Sequence, residues 1–152
     1  MEPTIKKIPA LTVMGLKYRG DNSKQEIPDL WDHFIPRQGE MIGKINEKIA
    51  YGICGNYDEE SGQFDYMAGF EVNMDAEIPP GMELWVIPAQ TYVVFPCTIP
   101  TISEVFDYAS RIWIPESTFS KGNGPSFELY DESFNPNDPD SRLWVHIPVS
   151  EA

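Results

Sequence analysis

The side chains best equipped for chemistry are two carboxylates set among aromatic and apolar residues. Glu128 lies in Phe127-Glu128-Leu129-Tyr130 and Glu71 in Phe70-Glu71-Val72. Both stretches have the composition of β-strands, in which successive side chains face opposite ways. Glu128 then shares a face with Tyr130 and opposes Phe127 and Leu129, while Glu71 opposes Phe70 and Val72. On a solvated strand face such a carboxylate has no special task. Lining an aromatic groove it is partly desolvated, its pKa rises, and a bound cation offsets the cost. A glutamate with a tyrosine two residues on can also act as acid or base toward water. The alternation alone leaves these readings open.

Aromatic residues are the other resource: four Trp, seven Tyr and eight Phe, too many for any one pocket, so most must build core. Trp31, Phe34 and Phe106 read as helix-to-sheet packing. Trp85 alternates with Leu84 and Val86, and Trp144 with Leu143 and Val145, so each faces away from its apolar neighbours. With Tyr51, Tyr92 and Tyr130 they are candidates for a ligand-binding wall, whose ring faces attract cations. Trp113 sits on an apolar helical stripe near a helix end, within reach of a groove. Classical reaction centres are not evident. His33 and His146 are the only histidines and have no metal-ligand spacing with Cys, Asp or Glu. No G-x-S-x-G, H-E-x-x-H or phosphate-loop pattern occurs, so neither a metal nor a cofactor is expected.

The elements that must position these residues come in two copies. Ile8-Pro9-Ala10-Leu11-Thr12 is matched 79 residues later (87 − 8) by Ile87-Pro88-Ala89-Gln90-Thr91. In the first copy, Leu11 to Tyr18 reads as a strand. A helix follows from Pro28 with Leu30, Trp31, Phe34 and Ile35 on one face. Pro36 interrupts it before a further stretch carrying Met41, Ile42 and Ile45. Ile49 to Tyr57 and Phe64 to Asn73 form a strand pair joined by Asp58-Glu59-Glu60-Ser61-Gly62. In the second copy, Leu84 to Phe95 reads as one strand with Pro88 at an edge or bulge. A helix opens on the capping box Thr101-Ile102-Ser103-Glu104, carries Val105, Phe106, Ala109, Ile112 and Trp113 inward, and stops at Pro115. Phe127 to Asp131 and Leu143 to Val149 complete the copy. The pattern predicts a single α+β domain over 1–152, a duplicated β-α-β-β module. The copies span about 1–77 and 82–152 and join at Ile78-Pro79-Pro80-Gly81. They are related by a pseudo-two-fold axis, with helices on one face of sheet and the opposite faces lining a ligand groove between them.

Net charge is −13, which repels phosphate backbones and argues against direct nucleic-acid binding. The first residues, Met1-Glu2-Pro3-Thr4-Ile5-Lys6-Lys7, lack the apolar core of a secretory signal, and no run approaches a membrane span. The expectation is a cytoplasmic protein in which Cys54 and Cys97 remain free thiols.

Three sets of residues give the chain a family likeness. Tyr51-Gly52-Ile53-Cys54 is followed by Phe64-Asp65-Tyr66-Met67-Ala68-Gly69-Phe70-Glu71-Val72. Phe127-Glu128-Leu129-Tyr130-Asp131 is followed by Leu143-Trp144-Val145-His146-Ile147-Pro148-Val149. Ile87-Pro88-Ala89 is joined by the helix end Arg111-Ile112-Trp113-Ile114-Pro115-Glu116-Ser117. Over nearly its whole length the chain resembles the GyrI-like small-molecule-binding domains, which also serve as effector-binding halves of AraC-type and MerR-type transcription regulators. The resemblance implies a groove between the copies for bulky, aromatic, often cationic compounds, with Glu128 matching a glutamate that meets the ligand's charge. No helix-turn-helix precedes the first strand here, so a stand-alone module is expected, with regulation requiring a separate DNA-binding partner. The resemblance also carries two alternatives: hydrolysis of cyclopropane-bearing compounds in the same groove, and inhibition of DNA gyrase through a protein contact.

Overall fold

The computed structural model describes residues 2–151. Among the described residues nine strands form one antiparallel sheet: β1 (Thr4–Ile8), β2 (Leu11–Gly20), β3 (Ala50–Gly55), β4 (Phe64–Glu71), β5 (Glu83–Ile87), β6 (Gln90–Cys97), β7 (Phe119–Lys121), β8 (Ser126–Tyr130) and β9 (Leu143–Glu151). Their order is β1-β6-β9-β8-β3-β4-β2-β5, with the short β7 paired to β9. Two helices, α1 (Glu26–Phe34) and α2 (Ile102–Tyr108), pack on one face. No helix among the described residues is long and apolar enough to cross a membrane.

The Ile-Pro-Ala repeat marks a break between strands, where the sequence suggested one continuous strand over Leu84–Phe95. Pro88 has no N–H to offer a ladder, and β5 ends just before it. Pro9 does the same in the first copy, releasing β1, a strand the sequence reading missed. The released strands cross over: β1 pairs with β6 of the other copy, and β5 with β2. The register is symmetric, because Ile8 pairs with Gln90 and Leu11 with Ile87, and Ile87 and Gln90 are the repeat counterparts of Ile8 and Leu11. The halves also join at the middle, where β3 pairs with β8 in a ladder centred on Gly52 opposite Glu128. The pseudo-two-fold axis passes through that pair.

Both helices depart from expectation at a proline. The helix in the second copy starts a turn before the expected capping box. Pro100 suits a first turn, and a short 3₁₀ turn (Ile99–Thr101) is capped reciprocally by Thr98 and Thr101, with the Thr98 N–H donating to Thr101 Oγ1 at 2.9 Å. Glu104 takes no part in that cap. At the far end Pro115 cannot supply an N–H to Arg111, and the helix widens into a π-turn over Ala109–Trp113. In the first copy, α1 gives way to a 3₁₀ turn (Ile35–Glu40) at Pro36, and the following stretch is not helical. Met41 there is buried, but Ile42 and Ile45 are exposed.

Apolar residues on the helix-bearing face form two cores. Met14, Tyr66, Ala68 and Phe70 meet Phe34 of α1, and Val93, Phe95, Leu143 and Val145 meet Val105 of α2. The reverse face was expected to line a groove and instead packs on itself. Leu11, Val13, Tyr51, Ile53, Met67, Ile87, Tyr92, Val94 and Phe127 form a third core that contains no helical residue. A sheet this long coils, so residues from both ends reach one cluster. His146 is sealed in beside it, 3% exposed, stacked on Phe127 with ring centroids 4.3 Å apart. Its Nδ1–H donates to the Trp144 carbonyl at 3.1 Å.

Burial drives the His146 pKa down to about 4, Lys6 pushes the same way, and the bond to Trp144 opposes them. A depressed histidine contributes stability that is complete above its unfolded pKa near 6.5 and is lost as pH falls toward 4. The span corresponds to a loss on the order of 3 kcal/mol. Urea unfolding of His146→Gln between pH 7 and 4 should give a flatter stability profile than the parent chain; an unchanged slope would refute the assignment.

Candidate functional site

A groove of about 1730 Å³ runs across the helix-bearing face, with α1 on one side, α2 on the other and the central strands as floor. Its walls obey the repeat. Ile27, Trp31 and Asp32 of α1 line one side, and Ile102, Phe106 and Asp107 of α2 line the other, each 75 residues further on (102 − 27, 107 − 32). The sequence holds this match plainly, in Ile27-Pro28-Asp29-Leu30-Trp31-Asp32 beside Ile102-Ser103-Glu104-Val105-Phe106-Asp107. Their spacing in the sequence points to packing for Trp31 and Phe106. They do pack against the cores, and they also face the groove.

The floor is where the two halves differ. Glu128 lies on the axis, 7% exposed, facing the groove with Tyr130. Tyr66 and Tyr130 both donate to its Oε1, at 2.9 and 2.7 Å. Tyr66 in turn accepts from the indole N–H of Trp31 at 2.9 Å. Among the described residues no Lys or Arg pairs with Glu128. Gly52 faces Glu128 across the ladder. A methyl group at Gly52 would overlap the Tyr66 hydroxyl and stand 2.7 Å from Glu128 Oε1, so glycine there makes the room in which hydroxyl and carboxylate meet.

The electrostatics follow from burial. Desolvation pushes the Glu128 carboxyl above its ordinary value, and the hydrogen bonds from Tyr130 and Tyr66 pull it back. Both tyrosine hydroxyls are pushed well above the usual range by burial and by the neighbouring carboxylate, so they stay donors at any physiological pH. Cys54 and Cys97 are free thiols. Burial and Glu128 raise Cys54 strongly and Cys97 to about 12, which keeps both protonated and poorly nucleophilic. Among the described residues no group of His, Cys, Asp and Glu is arranged to hold a metal ion.

Of the residues singled out by type and spacing, only Glu128 and Tyr130 meet in this groove. Trp85, Trp144, Tyr51 and Tyr92 belong to the opposite face. Glu128 pairs with Val145, which turns Trp144 away, and Trp85 pairs with Val13 of the reverse core. Tyr92 is fully buried there and accepts from Gln90 Nε2 at 3.0 Å. Glu71, opposite Val13, also lies on that face; burial raises its pKa, and burial together with the Glu71 charge pushes the nearby Tyr51 to about 12. Trp113 packs against Phe95 and Phe119 beyond the groove. Trp31 and Tyr66 enter in their place. The alternation was legible, but which alternate face carries the helices is set by register.

Residues 1–149 match the model of the GyrI-like small-molecule binding domain. The chain belongs to that family. It is 38% identical to the transcriptional regulator BrlR of Pseudomonas aeruginosa over 98% of its own length and 56% of the regulator's, so it spans about half of that relative. Its fold is that of the EcmrR C-terminal domain, with a TM-score of 0.75 at 15% identity over 99% of this chain and 98% of the other. The structure of SAV2435 bound to tetraphenylphosphonium superposes with a TM-score of 0.69 at 18% identity, over 99% and 94% of the two chains. This GyrI-like chain is accordingly a small-molecule binding domain, similar to the effector-binding domains of regulators.

The fit at Gly52 gives a non-additive prediction. Gly52→Ala alone should destabilise the domain by roughly 1–3 kcal/mol, because it breaks the Tyr66–Glu128 bond. In a Tyr66→Phe background, where that hydroxyl is gone, the same change should cost markedly less in urea unfolding. Equal costs in both backgrounds would mean that Gly52 is needed for something else.

Proposed function

We propose that this GyrI-like domain is a receptor for bulky aromatic cations, held in the groove with their positive charge on Glu128. The observation that carries the reading is a carboxylate 7% exposed, facing a large groove, with hydroxyl donors on one oxygen and no basic partner among the described residues. Such a group is costly to leave ionised, and a cation that loses its own water on entering the groove offsets that cost. Trp31, Phe106 and Tyr130 supply the apolar area and ring faces that favour an aromatic cation over a small hydrated one. A net charge of −13 draws cations toward the surface and disfavours direct contact with nucleic acid. The tetraphenylphosphonium complex of SAV2435 supports the ligand class, and BrlR and EcmrR support a role in reporting ligand occupancy to transcription. For this chain, regulation then requires a DNA-binding element acting with the domain.

The ligand class follows from the site's charge and its tests are direct. Titration of intrinsic tryptophan fluorescence with tetraphenylphosphonium should saturate at a defined stoichiometry, and mass spectrometry should recover the cation intact. Glu128→Gln should weaken binding by about 1–3 kcal/mol, the scale of a charge-assisted hydrogen bond. Because the carboxyl is raised above its ordinary value, cation affinity should climb with pH as Glu128 ionises and then level off. The uncharged triphenylphosphine oxide should show no such climb, and Glu128→Gln should lose it. A cation that binds the Gln variant equally well at every pH would sink this reading.

A further inference from the structure

The groove repeats the placement of its residues between the halves but not their polar groups, and the asymmetry falls on three positions at once. Where the first copy has Trp31, the second has Phe106, which lacks the N–H. The register of β2 on β4 and of β6 on β9 makes Leu143 the counterpart of Tyr66, without the hydroxyl. Gly52 is the counterpart of Glu128. Donor, hydroxyl and empty space in one half therefore all serve the single carboxylate of the other. Trp31 Nε1–H, Tyr66 Oη and Glu128 Oε1 form a chain with links of 2.9 and 2.9 Å.

We propose that Trp31 is a positioning residue for the carboxylate: its indole N–H commits the Tyr66 proton to Glu128 and thereby disfavours the protonated acid. An indole nitrogen only donates, so it occupies the acceptor side of the Tyr66 hydroxyl and leaves that hydroxyl one useful role, as donor to Oε1. A protonated Glu128 needs an acceptor for its own proton, and Tyr66 is already engaged. Removing the N–H restores that acceptor, and it also removes the polarisation by which one hydrogen bond strengthens the next. Trp31 is itself a wall residue, held edge-on to Tyr130 with centroids 5.5 Å apart. The charge on the floor is thus tied to the position of α1, and a ligand that moves the indole alters the carboxylate beneath it. The other titratable groups around Glu128 are Tyr66 of β4, Tyr130 of β8, and the thiols of Cys54 in β3 and Cys97 in β6. Asp32 and Asp107 face the groove from the helices, and Glu47, Lys48, Lys121 and Asp131 line it from loops and the short β7. Of these groups Trp31 touches Tyr66 and Tyr130, and the Tyr66→Phe background isolates the first contact.

This inference deepens the receptor reading, but its decisive test needs no ligand. The side-chain carboxyl of Glu128 would be followed by carbon-13 NMR in the parent chain, Trp31→Phe, Tyr66→Phe and the double variant. Trp31→Phe keeps a ring in the wall and should raise the Glu128 midpoint by roughly half a pH unit, in the range expected for loss of a cooperative neighbour. In the Tyr66→Phe background the same substitution should leave the midpoint unmoved. Tetraphenylphosphonium affinity in Trp31→Phe should fall about two-fold further near that midpoint than at high pH, on top of a pH-independent cost from the altered wall. An unmoved midpoint in Trp31→Phe, or equal shifts in both backgrounds, would overturn the proposal and leave the indole as packing. Failure of the parent chain to bind the cation, with the NMR shifts as expected, would count against the receptor reading and leave the positioning role standing.

Discussion

A carboxylate taken out of water without a cation beside it is the constraint around which this molecule is arranged. Glu128 is held by two hydroxyls on one oxygen, and each hydroxyl depends on something further away. Tyr66 needs the notch left by Gly52 and the indole of Trp31, and Tyr130 sits on the edge of that same indole. The strands supply the floor with both donors to the carboxylate, and α1 supplies the wall with the indole that bonds one of those donors. Docking of helix on sheet therefore extends the hydrogen-bond chain that the sheet begins.

Duplication gives the domain a scaffold that is symmetric where packing matters and broken where chemistry does. The exchanged strands keep identical register, and the helix pairs Ile27 with Ile102, Trp31 with Phe106 and Asp32 with Asp107. On the axis symmetry would place two like groups face to face, and two buried carboxylates could not both ionise there. Glycine opposite glutamate removes the conflict and opens space for the hydroxyl that holds the charge. For the aromatic cation proposed above, one strong centre between two similar walls favours a large, roughly balanced ligand over a small or one-sided one.

Much of this was legible in the chain, and the failures have physical causes. The Ile-Pro-Ala repeat exposed the duplication, and the alternation around Glu128 and Tyr130 put both on one face, as they are. The same alternation could not say which face carries the helices. Trp85, Trp144, Tyr51 and Tyr92 were therefore drawn toward a groove that lies on the other side of the sheet. That choice depends on strand register and on the coiling that lets the reverse face bury itself. Tyr66 was invisible because its value comes from a partner 62 positions away. The cap of the second helix falls one turn earlier than the Thr101 box suggested because Pro100 belongs to the first turn.

The crossing of β1 into one half and β5 into the other has a mechanical consequence. Each half is stitched into its neighbour at both ends of the sheet and again through β3 and β8, so the halves cannot swing apart like the shells of a clam. Any adjustment to the girth of a guest then falls to the elements above the sheet, the two helices and their aromatic side chains. On the receptor reading proposed above, the sheet is the fixed anvil of the site, and α1 and α2, which form its walls, are the parts free to answer to a guest.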